Sequence, residues 1–463
     1  MQVNNQLIKT IKIKKLFGLY DYTLPEIGSL SNASILYGDN GVGKSTVLRL
    51  AFHLLSASNS SGHRSELYKS SFLSLEVILS SGIKLLAEFE IKRNRKILVL
   101  KILEKNNLLA IWDYYPESLH SRTFDEEVIM ARSDYELFFS DGRRVLTKRG
   151  KQGIKGQDVY IGVLRKIVPT TFILNADRRL DSDSVSDPGD EVELRRKLKF
   201  KEPRDISDLL SRSREIAVSQ ALNRANKWIS RMAVQGTNQG ADNVHSVYGR
   251  VLKHLVHSGS KDNRLYTEED KINLMNKLSD IEIKTTELAK YELATVLDTN
   301  EFKDILSSQN VTSYSLSADL LKPYIESLES RLAAVEPIYL ILDKFVTIIN
   351  GLLSDKKIGY HLSQGFYIQN TLGENLETSQ LSSGEQQLLL LFCYVIVARD
   401  ESSVFMIDEP EISLNIKWQR KLIKTLLDIT EGANIQFLFA SHSMELLSQH
   451  EDRVVVMVNK NER

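Results

Sequence analysis

Gly38-Asp39-Asn40-Gly41-Val42-Gly43-Lys44-Ser45-Thr46 follows the apolar run Ala33 to Tyr37 and opens the helix-patterned Val47-Leu48-Arg49-Leu50-Ala51-Phe52. Glycine, four residues, glycine, lysine and serine make the P-loop pattern, and a strand before it with a helix after it separates the pattern from an ordinary glycine-rich turn. The chemistry demands this composition. Glycines let backbone N–H groups wrap a phosphate chain, and the helix N-terminus adds the positive end of its dipole. Asn40, Gly41, Gly43, Lys44, Ser45 and Thr46 are expected at the phosphates, with Lys44 reaching the outer ones and Ser45 giving an oxygen to Mg²⁺. The stretch implies a nucleoside triphosphate and leaves open what its binding drives.

A chain of 463 residues, 42% hydrophobic and 26% charged, is long enough for two to three globular domains. Lysine plus arginine and aspartate plus glutamate each number 60, so net charge is zero and no global basicity points to nucleic acid or an anionic membrane. The single cysteine, Cys393, sits in the apolar run Leu388 to Val397 and reads as a small core residue in a reducing compartment. No run approaches the roughly 18 uncharged apolar residues of a membrane span, and Met1-Gln2-Val3-Asn4-Asn5 lacks the apolar core of a signal peptide. The expectation is a cytoplasmic protein.

Along the chain, Ile8 to Lys14 alternates in part and Ala33 to Tyr37 is a compact strand. Phe72 to Leu79, Ile83 to Ile91, Ile97 to Leu103 and Leu108 to Trp112 are strand-like, and the short turns between them predict an antiparallel meander. Asp141 to Gly156 is basic, with Arg143, Arg144, Lys148, Arg149, Lys151 and Lys155, and reads as a solvated loop or a phosphate-backbone contact. Val168 to Leu174 is another strand, delivering Asn175-Ala176-Asp177-Arg178-Arg179 to its end before the breaker-rich loop Asp181 to Asp190. From 191 to 350 the chain becomes charged and helix-periodic. Thr267-Glu268-Glu269-Asp270 resembles a capping box, and Leu274, Leu278, Ile281, Thr285 and Leu288 follow at alternating four and three spacing. Leu321, Ile325, Leu328, Leu332 and Val335 repeat that spacing until Pro337 interrupts it, which predicts a helical bundle or a short antiparallel arm.

Beyond the helical segment, Val404-Phe405-Met406-Ile407 is an apolar strand ending in Asp408-Glu409-Pro410-Glu411. Beside a P-loop, Asp408 can hold Mg²⁺ through a water, and Glu409 can polarise the attacking water as general base. Leu381-Ser382-Ser383-Gly384-Glu385-Gln386-Gln387 opens the apolar helix that follows it, and Ala440-Ser441-His442-Ser443 closes the strand Ile435 to Phe439.

These motifs, in this order, resemble those of the ABC ATPases. Leu381 to Gln387 looks like their signature, commonly Leu-Ser-Gly-Gly-Gln, with Ser383 for the first glycine and Glu385 for the glutamine. That variant is similar to the SMC and RecF-like branch, and Asp408 to Asn415 resembles that branch's joined Walker B motif and D-loop. His442 occupies the place of the switch histidine. The resemblance implies an α/β fold, an ABC ATPase head of P-loop core plus antiparallel β subdomain, with a helical insertion or short coiled-coil arm. It divides the chain into an N-terminal lobe at 1–180, an insertion for interaction or oligomerisation at 181–364, and a C-terminal lobe at 365–463. It implies ATP and Mg²⁺ as cofactors, with Lys44, Glu409 and His442 catalytic and Ser45 and Asp408 at the metal. Ser382, Ser383 and Gly384 would close on the γ-phosphate held by a second copy of the chain. Asn175 to Arg179 resembles the arginine-bearing strand end of RecF-like and overcoming-lysogenization ATPases.

A transporter subunit couples through a shorter helical subdomain than this insertion. Only 21 residues (463 minus 442) follow His442, too few for the Toprim domain of an overcoming-lysogenization nuclease. The chain is then most similar to the ATPase subunits of anti-phage systems such as PARIS and Septu, which implies self-association, a separately encoded nuclease effector and a phage-derived trigger. The alternative is an SMC or RecF-like ATPase of DNA repair or chromosome maintenance, with nucleic acid met through the basic 143–155 segment.

Overall fold

The computed structural model describes residues 7–58, 62–92, 95–116, 135–140, 143–148, 156–175, 180–182, 215–236, 267–307, 311–412 and 414–460. It forms two compact units, Met1–Ile216 with Val395–Arg463, and Ala217–Tyr394.

The first unit carries two six-stranded sheets. One is antiparallel, built from β1 (Ile8–Leu16), β2 (Tyr20–Leu24), β4 (Ser74–Leu79), β5 (Ile83–Lys92), β6 (Arg95–Glu104) and β7 (Asn107–Tyr114) in the order β2-β1-β4-β5-β6-β7. Buried positions alternate with half-buried ones, as in β4, because one face packs inward. The meander read from the sequence is present, with its turns at Ser80–Gly82 and Lys105–Asn106.

The other sheet, ordered β11-β10-β14-β15-β3-β16, joins β3 (Ala33–Tyr37), β10 (Thr170–Leu174), β14 (Ser403–Asp408), β15 (Ile435–Ala440) and β16 (Val454–Val456) in parallel, with β11 (Leu180–Ser182) antiparallel at one edge. Every residue of β14 and β15 is buried, which is why these strands read as continuous apolar runs instead of alternating. Phe172, Phe405 and Phe437 sit at one register level on three neighbouring strands, with ring centroids 4.4 Å and 5.6 Å apart. The helix α1 (Lys44–Leu55) belongs to the core that both sheets share, through Leu48, Leu50 and Leu54. Gln436, buried on β15, staples the sheets together. Its Nε2 donates to the carbonyls of Ile8 and Ser31, at 2.9 and 3.0 Å, and its Oε1 accepts from Ile8 N at 2.9 Å.

Arg143, Arg144 and Lys148 lie on β9 (Arg143–Lys148), paired with β8 (Tyr135–Ser140), so the expected basic loop is half strand. Register pairing of the backbone outweighs the polar composition there. Arg149 to Lys155 and Ala176 to Arg179 fall outside the described residues. Cys393 is buried as expected, and burial pushes its thiol upward.

The second unit is mainly helical, with a helix over 215–236, then Glu268–Ala289, Asn300–Leu306 and Val311–Leu352. Thr267 and Asp270 form the capping box read from the sequence. Asp270 N donates to Thr267 Oγ1 at 3.2 Å, and Thr267 N donates to Asp270 Oδ2 at 2.9 Å. Leu274, Leu278, Ile281 and Leu288 pack on Ile325, Leu332 and Val335. One expectation fails here, and of the two alternatives for the helical segment the antiparallel arm drops out. The 42-residue helix Val311–Leu352 continues through Pro323 and Pro337. The arm is also parallel, not antiparallel: Lys277 pairs with Glu329 (2.8 Å), Lys284 with Glu336 (3.1 Å) and Lys290 with Asp343 (2.7 Å), so residue numbers climb together along both helices. The chain between them runs back along the first helix, where Thr299 Oγ1 and Lys303 Nζ both donate to Glu282 Oε2. Periodicity reports a buried face and carries no information about helix direction. A hairpin, β12 (Lys356–His361) with β13 (Gly365–Asn370), follows the long helix. No helix among the described residues is long and apolar enough to cross a membrane.

Gln436→Leu leaves the N–H and carbonyl of Ile8 and the carbonyl of Ser31 without their buried partner. It is expected to cost about 1–3 kcal/mol of stability, read as a lowered denaturant midpoint. An unchanged midpoint would refute the staple.

Candidate functional site

The site is assembled by register. Asp408 stands opposite Ala440, and Ala440 opposite Leu36, so the chain leaves β14, β15 and β3 at one level of the sheet. Three loops, the P-loop, the Glu409–Asn415 segment and Ser441–Ser443, therefore meet there.

The P-loop needs glycine where the pattern places it. Gly43 has φ 94°, and a Cβ on it would lie 2.7 Å from Leu16 Cδ2. Gly43 also precedes the first residue of α1, whose N-terminus has no side-chain cap and no acidic residue in its first turn, which leaves its N–H groups for an anion. Tyr22 braces the loop from β2, its hydroxyl donating to Val42 O at 3.0 Å. Asn40 and Gly41 are exposed. Lys44 is buried, and its Nζ donates to the carbonyls of Gly38 (2.8 Å) and Asp39 (3.0 Å). Burial lowers its pKa, against the opposing pull of Glu409, Asp39 and Asp408.

Ser45 Oγ donates to Asp408 Oδ1 at 2.6 Å. Asp408 is buried, and burial raises its carboxyl above the usual range while the Ser45 hydrogen bond opposes this. A hydroxyl and a carboxylate oxygen in contact, beside a phosphate cradle, form the oxygen donor set that a hard divalent cation takes. These residues fit a magnesium nucleotide.

Glu409 is held with φ 48°, in the left-handed region a glutamate rarely enters, while its N–H donates to Ala440 O at 2.8 Å. Its carboxyl is raised to about 7, first by burial, then by a hydrogen bond with the Glu411 carboxyl and repulsion from Glu411 and Asp408. Such a group can take a proton near neutral pH. His442 stands between the two halves of the site, Nδ1 3.3 Å from Lys44 Nζ and Nε2 3.5 Å from Glu409 Oε1. Lys44, Ser45, Asp408, Glu409 and His442 are thus brought together within one unit, as their motifs predict.

Ser382, Ser383 and Gly384 belong to the other unit, at the start of the helix Ser383–Val397. Ser382 N donates to Glu385 Oε2 at 2.7 Å, the acid's half of a capping box, and Lys356 Nζ lies 3.3 Å from Glu385 Oε1. The glutamate standing where a glutamine is usual therefore has local work. Glu411 and Gln419 were not singled out from the sequence. Glu411 Oε1 accepts from Ser441 Oγ (2.8 Å), His442 N (2.9 Å) and Ser443 N (3.0 Å), and Gln419 Oε1 accepts from Ser443 Oγ (2.9 Å). Only the pairing of β14 with β15 makes them neighbours, and no local spacing signals that.

A family model described as "AAA domain, putative AbiEii toxin, Type IV TA system" matches residues 162–448. Among curated proteins, an uncharacterized ABC transporter ATP-binding protein of Methanocaldococcus jannaschii is 30% identical over 83 residues, 17% of this chain and 30% of that protein. A putative ABC transporter ATP-binding protein of Clostridium acetobutylicum is 26% identical over 110 residues, covering 24% and 39%. The molybdenum import ATP-binding protein ModC of Escherichia coli is 34% identical over 79 residues, covering 17% and 22%. The chain thus matches well under half the length of each. The crystal structure of the Smc head domain of Pyrococcus furiosus, with an extended coiled coil and bound to the C-terminal domain of ScpA, aligns over 96% of this chain and 91% of that one, at 12% identity and a TM-score of 0.36.

The raised Glu409 carboxyl has a stability consequence. Its ordinary value is 4.5 and its folded value about 7, so the stability it contributes is present below pH 4.5 and lost as pH climbs through 7. Glu409→Gln is always neutral. Nucleotide-free, the variant is expected to unfold at a higher temperature than the unaltered protein at pH 8, with the gap closing as pH falls toward 4.5. A gap independent of pH would contradict the shifted carboxyl.

Proposed function

The chain belongs to the family described as AAA domain, putative AbiEii toxin, Type IV TA system, and from that premise we propose that it is an ATPase of the ABC and SMC type, the ATP-driven subunit of a bacterial anti-phage defence complex. In this reading two or more copies associate through sandwiched ATP and hold or release a separately encoded toxic effector, a nuclease. The family's own description, naming a toxin and a toxin–antitoxin system, favours defence over DNA repair. The observation that carries the enzymatic part is the meeting of Lys44, Ser45, Asp408, Glu409 and His442 at three adjacent strand ends.

The geometry supports this division of work. When bound, Mg²⁺ and ATP supply the phosphoanhydride and the charge that polarises it. Lys44, now on the Gly38 and Asp39 carbonyls, would give its ammonium to the outer phosphates, and Ser45 with Asp408 would hold the cation. Glu409 accepts the proton of the attacking water, and His442, within reach of both Lys44 and Glu409, orients the outer phosphate. Ser382, Ser383 and Gly384 of a second copy complete the phosphate contact through their helix N-terminus. ATP is then both substrate and adhesive, and assembly is favoured by the difference in its affinity for closed and open states.

Lys44→Ala is expected to abolish ATP binding by equilibrium titration, and unchanged affinity would refute the P-loop assignment. Glu409→Gln is expected to keep ATP affinity while slowing hydrolysis by about 10²–10⁴-fold, and to accumulate an ATP-dependent oligomer on sizing with mass measurement. A monomer at every nucleotide state would sink the sandwich. Purification of the chain expressed from its native operon tests the complex: a co-purifying nuclease supports defence, and a chain that instead binds DNA with steep salt dependence supports repair.

A further inference from the structure

Glu411 lies two residues past Glu409, and the motif logic gives it no task. In the fold it is a hub. One oxygen, Oε1, receives the Ser441 hydroxyl and the consecutive backbone N–H groups of His442 and Ser443, at 2.8, 2.9 and 3.0 Å. Consecutive N–H groups converging on one point make an anion-binding concavity, and here the protein supplies the anion itself. Gln419 closes the arrangement from the helix Ile416–Ile429, accepting from Ser443 Oγ and donating through Nε2 to the carbonyls of Glu411 (3.3 Å) and Leu414 (2.9 Å). Ser443 in turn caps the next helix, accepting from Leu446 N. The backbone of His442 is therefore gripped from one side while its ring extends to within 3.3 Å of Lys44 Nζ and 3.5 Å of Glu409.

We propose that Glu411 is the positioning residue of this site: its carboxylate locks the Ser441–Ser443 turn so that the His442 ring is held between Lys44 and Glu409, and it makes and breaks no bond itself. The proposal rests on the reading of the site as an ATP hydrolase. A turn of three residues between a strand and a helix has few contacts of its own, and a displacement of about 1 Å in such a group can cost on the order of 10²-fold in rate.

The test is steady-state ATP hydrolysis beside equilibrium ATP binding for Glu411→Ala, Glu411→Gln and Lys44→Ala. Glu411→Ala is expected to lower kcat by roughly 10–100-fold while leaving Kd for ATP nearly unchanged, because the P-loop is untouched. Glu411→Gln keeps an oxygen acceptor at the same place and is expected to recover most of the lost rate. A normal kcat in Glu411→Ala overturns the proposal. So does Glu411→Gln failing as badly as Glu411→Ala, which would assign the carboxylate a direct chemical part, and so does a Kd that worsens in step with kcat. Should Glu411→Ala not fold, Gln419→Ala loosens the same turn from its other side: reduced kcat at unchanged Kd supports the proposal, and unchanged kcat overturns it. Lys44→Ala separates the two levels. If it binds ATP normally, the hydrolase reading falls and takes the proposal with it; if it loses ATP while Glu411→Ala turns over normally, the proposal alone falls.

Discussion

The alignment of β14, β15 and β3 is the constraint on which the site depends. Strand side chains alternate with a period of two, so a slip of one residue between β14 and β15 would exchange the side chains packed on the sheet's two buried faces and carry Asp408 off the level of Ala440. The aromatic level Phe172, Phe405 and Phe437 opposes such a slip within the sheet. Burial of both faces, between α1 and the rest of the unit, leaves no polar alternative for these strands. Chemistry at the strand ends is thus held by packing several residues away from it.

What that packing brings together is electrostatically uncomfortable. Asp408 and Glu409 are drawn upward in pKa and Lys44 downward, each chiefly by burial, and Glu409 also sits in a backbone region that disfavours side chains. Such clustering of perturbed groups marks functional sites more often than structural ones. A cation and a phosphate chain would relieve the electrostatic part of this tension. The carboxylates would gain a counter-charge, and Lys44 would exchange carbonyl dipoles for a full anion.

The motif-bearing parts of this fold were legible because their chemistry is local. Gly38 to Thr46 and Val404 to Glu409 are each a few residues whose type and order state their own geometry, and Thr267 to Asp270 announces a helix start in the same way. The direction of the two arm helices was not legible, since Leu274, Leu278 and Ile281 mark a buried face equally well for either partner direction. Pro337 misled for a related reason: an absent donor weakens one turn, while the buried face on both sides of it keeps the helix going. Glu411 and Gln419 act across strands or between elements, and Gln436 reaches Ile8 from 428 positions away. Such contacts have no spacing to recognise.

The same-direction pairing in the helical unit has a mechanical side. A hydrogen-bonded helix of 42 residues, about 63 Å long at the ordinary rise, is a stiff rod. Near its end Asn350 grips Ile358 twice, accepting from its N–H at 2.7 Å and donating to its carbonyl at 3.0 Å. Two residues earlier on that strand, Lys356 holds Glu385 at the start of the Ser383–Val397 helix. The rod is thus tied to the hairpin that follows it, and through Lys356 to the helix start beside Ser382.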